Sequence, residues 1–126
     1  MQRLHPVRRI FVTFVATIVA LLGSAVVASP AQAYCGWTPT RNGEGYLISN
    51  RMTHMRTGPY AECQHNLEIG AGKKLWLWCG YHNSYGNYWY YARLDGTNVH
   101  GWVFSGNVDT YDYDDNGDGI AWLTGC

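Results

Sequence analysis

The chain has 126 residues, nine Lys+Arg against nine Asp+Glu, and a charged fraction of 14% beside 47% hydrophobic residues. Beyond residue 33 only six of the basic residues remain with all nine acids, a net charge of −3. That balance excludes a nucleic-acid binder with a basic stripe and provides no polybasic patch for anionic lipid.

In chain order, Arg3, Arg8 and Arg9 open the sequence, and residues 10–28 form an apolar run without a charge. Ser29-Pro30-Ala31-Gln32-Ala33 follows, with a helix breaker and two small residues at the spacing a signal peptidase accepts. Residues 1–33 are therefore expected to be a cleaved signal peptide and the rest a secreted, extracellular protein. The competing reading is an uncleaved anchor, because the run is nearly long enough to cross a bilayer. The Arg8-Arg9 pair leaves the general and twin-arginine export routes both open.

Cys35, Cys63, Cys79 and Cys126 all lie beyond residue 33. An even number in a short exported chain reads as two disulfides. Of the three pairings, Cys63–Cys79 and Cys35–Cys126 are expected, the first closing a local loop and the second tying the chain ends. There is no Cys-x-x-Cys pair and no histidine at zinc-site spacing.

Residues 34–48 read as an N-terminal extension. Residues 51–56 read as a strand, stopped by Thr57-Gly58-Pro59-Tyr60, since proline lacks the ladder donor. Residues 65–69 form a weaker strand and residues 70–73 a glycine turn. Residues 74–79 are the strongest strand, with Trp76 and Trp78 on one face and Leu75, Leu77 and Cys79 on the other. Two apolar faces imply either a central strand of a closed barrel or one face open to a ligand. Residues 83–87 are a polar loop, residues 88–94 a strand, Asp95-Gly96-Thr97 a hairpin-type turn, and residues 101–104 a closing strand. Short aromatic-rich strands at this spacing predict an all-β barrel over residues 49–109. An acidic tail, residues 110–126, is tied down by Cys126.

Four pieces in this order resemble the bacterial Src-homology-3-like domain: Met55-Arg56-Thr57-Gly58-Pro59, Gly72-Lys73-Lys74-Leu75-Trp76-Leu77, Trp89-Tyr90-Tyr91-Ala92-Arg93 and Gly101-Trp102-Val103-Phe104-Ser105. The resemblance implies a small five- or six-stranded barrel. It also implies a targeting module, in a family many of whose members bind cell-wall peptidoglycan or its cross-bridge peptides. The cysteines, the tyrosine-rich segment and the acidic tail depart from the simplest family pattern.

For function, the aromatic residues Tyr60, Tyr85, Tyr88, Trp89, Tyr90 and Trp102 are the candidate ligand-binding set. Tyrosine combines an apolar plate with a hydroxyl handle and suits sugars and peptides. For Trp89 and Trp102 a core position competes with the ligand-facing one. Asp114, Asn116 and Asp118, with Gly119, match the start of a calcium loop, but the glutamate of position twelve is replaced by Gly125. A weak extracellular calcium site competes there with a plain acidic turn, and no other cofactor is expected. His54, His65, His82 and His100 appear scattered along the chain, Glu44 and Glu62 read as surface charges, and no Gly-x-Ser-x-Gly elbow exists. A non-enzymatic binding module is expected, its partner a wall glycan or peptide. The alternative is a protein-binding effector, such as a protease inhibitor, that presents the 83–87 loop to an extracellular protein.

Overall fold

The computed structural model describes residue 32 and residues 34–112, 114, 116, 117 and 124–126, without the side chains of Tyr111 and Asp112. The expected signal peptide lies almost wholly outside the described residues. Among the described residues no helix is long and apolar enough to cross a membrane.

These residues form an all-β structure: β1 (Tyr46–Ser49), β2 (Thr53–Arg56), β3 (His65–Ile69), β4 (Lys74–His82), β5 (Tyr88–Leu94), β6 (His100–Phe104) and β7 (Val108–Asp112), with a 3-10 turn, Ser105–Asn107, before β7. The strands make one antiparallel sheet in the order β3-β2-β6-β5-β4-β1-β7. Among the described residues no ladder joins β3 to β7, so the sheet is open rather than a closed barrel. β1 and β7 were not expected. β1 lies across the anticipated end of the N-terminal extension, and β7 runs into the acidic tail.

Every strand contributes to the inner core. Leu47, Met55, Ile69, Leu75, Leu77, Tyr90, Ala92, Val103 and Val108 form one buried cluster. Ile69 and Val108 come from opposite edges of the sheet, so the sheet curls around this core in the sense that strand twist favours. Ser49, itself buried, holds the 70–73 turn against β1. Its hydroxyl donates to the Gly70 carbonyl at 2.7 Å and accepts from the Lys73 amide at 2.9 Å.

The outer face of β4, β5 and β6 is also covered. Cys79, Trp89, Tyr91 and Trp102 are buried there, packed by Trp37, Trp78, Tyr81, Phe104 and Cys126. Trp102 lies beneath Trp37, its ring 5.1 Å away and its indole N–H donating to the Trp37 carbonyl at 2.9 Å.

Strict alternation along β4 fails at one point. Leu77 faces Ala92 and Cys79 faces Tyr91, so Trp78 is an extra residue on the β4 side. Such a bulge resets the alternation. Leu75 and Leu77 point inward as expected, but Cys79 turns outward to join Trp78.

That reset corrects the expected cysteine pairing. The bonds are Cys35–Cys63 and Cys79–Cys126, with Cα separations of 5.3 and 5.1 Å. Cys79, turned outward, meets the C-terminus, which lies alongside β4 through a parallel bridge between Gly80 and Gly125. Cys63 is buried with Tyr60 and meets the N-terminal segment instead. Gly58 permits that approach: a Cβ there would sit 2.5 Å from the Tyr34 carbonyl and 2.8 Å from the Cys63 sulfur. Each chain end is thus stapled to the sheet, not to the other end.

Candidate functional site

A cleft of about 270 Å³ opens on the outer side of the sheet where β2, β5 and β6 converge. Trp89, at the start of β5, and Phe104, at the end of β6, form its aromatic wall, their rings 5.5 Å apart. β2 supplies His54 and Arg56, because Met55 between them turns into the core. Met52 and Ala61 add apolar rims; Asn87 and Asn107 add amides. The volume lies near the ~300 Å³ lower end for small-ligand pockets and suits one or two residues of an extended chain.

The polar groups are held in place. The Arg56 guanidinium donates through Nη1 to the Cys63 carbonyl at 2.9 Å and through Nη2 to His54 Nδ1 at 3.1 Å. A guanidinium only donates, so His54 Nδ1 carries no proton and its Nε2–H faces Glu68 Oε2 at 3.4 Å. The Trp89 indole nitrogen is buried and has no hydrogen-bond partner.

His54, His65 and Glu68 are not scattered in space. Their candidate ligand atoms lie within 4.8 Å of one another, and the two imidazoles stack at 4.2 Å. Hairpin register sets this up: His54 faces Glu68 across β2 and β3, and a bulge beside Arg56 brings His65 alongside. The cluster could offer ligand atoms to a divalent metal. With Arg56 on Nδ1 and a proton on Nε2, however, His54 is arranged as a hydrogen-bond relay.

Of the expected ligand-binding residues, Trp89 lines the cleft; Tyr85 does not, and stands 51% exposed on the 83–87 loop. Tyr60 is fully buried, which corrects its expected surface role. Its hydroxyl is bound to the 83–87 loop, 3.0 Å from Ser84 Oγ and 3.2 Å from the Ser84 amide, and Tyr85 packs edge-on against its ring. Trp102 is likewise fully buried, the core reading rather than the ligand-facing one. Tyr90 lies in the inner core, and Tyr88, half-buried, packs on the same core. Tyr91 is buried too, so β5 leaves no open tyrosine pair. Met52, His54, Phe104 and Asn107 escaped the sequence reading as site residues. Arg56 and Phe104 did stand inside the quoted family-like segments.

The acidic tail shows a local turn. Asp114 Oδ1 accepts from the Gly117 amide at 2.9 Å, and the Asn116 amide donates to the Glu44 carboxylate. Asp118 lies outside the described residues.

A second depression of about 300 Å³ is lined by Trp76, Trp78, Arg93 and Asn42. Trp76 Nε1 donates to Asp95 at 2.8 Å, Arg93 donates to the Thr97 carbonyl at 2.9 Å, and the Lys74 ammonium lies 4.1 Å over the Trp76 ring. The Trp89 cleft is the better candidate because it sets a guanidinium beside a lining rich in apolar groups, Met52, Ala61, Trp89 and Phe104. Comparison with protein families, with characterised proteins and with solved structures finds no match.

Proposed function

We propose that this chain is an exported, non-enzymatic binding module, a Src-homology-3-like β-barrel left open between β3 and β7, that attaches to cell-wall peptidoglycan or a similar extracellular polymer or peptide through the Trp89 cleft. The observation that carries the reading is the cleft itself: two aromatic rings, an oriented guanidinium and an unpartnered indole N–H on a rigid sheet. A curled, all-antiparallel sheet supports the barrel assignment, and the four family-like segments fall on or beside its strands. Two disulfides agree with an oxidising compartment.

A second reading is a protein-binding effector, favoured by the rigidity of the 83–87 loop. The Asn83 side chain is buried, donates to the Pro59 carbonyl at 2.8 Å and accepts from the Tyr85 and Asn87 amides, both at 3.0 Å. The loop thus presents Tyr85 in a fixed pose, as an inhibitor loop requires.

Sedimentation with purified peptidoglycan separates the two. The protein is expected in the pellet, and Met52→Glu, which places a carboxylate on an exposed rim of the cleft, is expected in the supernatant. Protein that never sediments but inhibits an extracellular protease, and loses that inhibition in Tyr85→Ser, points to the effector instead.

A further inference from the structure

We infer that the Trp89 cleft recognises a free carboxylate: its ligand is a short peptide ending in an unmodified carboxyl terminus with a small aliphatic side chain. This rests on the cleft being the ligand seat, and it adds the chemical group that is read there.

The inference comes from the charge inventory. The lining holds a fixed cation, Arg56, and no acidic residue. Glu68 is engaged by the His54 imidazole at 3.4 Å rather than by Arg56. Arg56 spends two of its donors on neutral acceptors, the Cys63 carbonyl and His54 Nδ1, and a guanidinium has five. Among the described residues no carboxylate pairs with it. A partly buried cation without a counter-charge is costly, and an incoming anion offsets that cost.

The indole N–H of Trp89 gives a second, independent pointer. The residue is 4% exposed, and among the described residues its nitrogen has no acceptor. A buried donor left unpaired is rare in a folded protein and marks a place where an acceptor is missing. The nitrogen is closed off from solvent, so an oxygen-rich ligand group supplies that acceptor only with a shift of the indole. Asn87 and Asn107 add amide donors suited to a peptide backbone, while Met52, Ala61 and Phe104 leave room for a methyl-sized side chain. Arg56 is also pre-oriented, so it binds without further ordering, and a charge-assisted hydrogen bond is roughly twice as strong as a neutral one.

The test uses two tripeptides ending in Ala-Ala, identical except that one is a free acid and the other a C-terminal amide. Both are titrated into the intact protein by calorimetry and followed by the Trp89 indole N–H resonance. The acid is expected to bind about tenfold more tightly than the amide and to shift that resonance downfield. Arg56→Gln is expected to bring the acid to the level of the amide. Trp89→Phe, which keeps an aromatic side chain but removes the N–H and part of the buried ring, is expected to weaken the acid more than the amide. Equal binding of acid and amide overturns the inference, as does an acid preference that survives in Arg56→Gln. Should Arg56→Gln not fold, the acid–amide comparison and Trp89→Phe decide. The wall reading fails separately: a protein that prefers the acid but does not sediment with peptidoglycan keeps this inference and loses that one.

Discussion

Tyr81 packs among Tyr34, Trp37 and Trp102 on the outer face. Burial pushes its hydroxyl up to about 12, and the Tyr34 hydroxyl and the neighbouring tyrosine charges add to the shift. Burial raises Tyr91 as well, against a lowering hydrogen bond from Thr38. In the unfolded chain tyrosine loses its proton near pH ~10. Between that pH and about 12 the unfolded state binds fewer protons than the folded one, so stability falls as pH rises; below pH ~10 these groups contribute no slope. Urea unfolding at about pH 9 and about pH 11 should show this loss, and Tyr81→Phe should flatten it. An unchanged slope in the variant assigns the alkaline loss to other groups. The same scale explains which aromatic residues were misjudged. Tyr60 and Tyr85 look alike in sequence, but the hydroxyl of Tyr60 is consumed by Ser84, and no local signal announces a partner 24 residues away.

Among the elements, the β2–β6 contact is narrow, a single Arg56–Trp102 register pair, yet it builds one side of the cleft. Gly101 makes it possible. A Cβ there would lie 2.9 Å from the Met55 Cβ and 3.2 Å from the Met55 backbone. Gly101→Ala should therefore cost about 1–3 kcal/mol through overpacking and weaken ligand binding, because β2 carries both His54 and Arg56. The urea midpoint with an unchanged m-value measures the first effect, and titration of the cleft the second. An alanine as stable as the parent shows that the strands can separate without strain. Strands β3 and β5 match their expected limits: β5 is a short aromatic run between turn residues, and β3, weaker in composition, is bounded by the glycine turn at residues 70–73. β1 and β7 were not legible: β1 is four residues long, and of β7's described side chains Val108 alone joins the inner core.

For the whole molecule, the two staples hold different parts. Cys35–Cys63 spans 28 residues and Cys79–Cys126 spans 47. In the chain-entropy model these loops are worth about 3.5 and about 4 kcal/mol, comparable with the stability of a small domain. Replacing either pair with alanines should lower the melting temperature strongly. Only the loss of Cys35–Cys63 should also impair the cleft, since the Cys63 carbonyl holds Arg56. Equal binding by both variants would show that Arg56 keeps its pose without that anchor. Peptide mapping under non-reducing conditions checks the connectivity directly.

What the linear chain determined was local or countable. The all-β character follows from period-two runs and turn residues, and full cysteine oxidation was read from an even count in a short exported chain. Trp89 as a candidate followed from its place at the head of an aromatic strand. The tertiary structure alone decided which face each residue took and which distant groups met. One extra residue in β4 turned Cys79 outward and with it chose the disulfide partners. Hairpin register brought His54 to Glu68, and the curl of the sheet placed Arg56 beside Trp89. Those outcomes depend on pairings between residues far apart in sequence, and no window of the chain contains both partners.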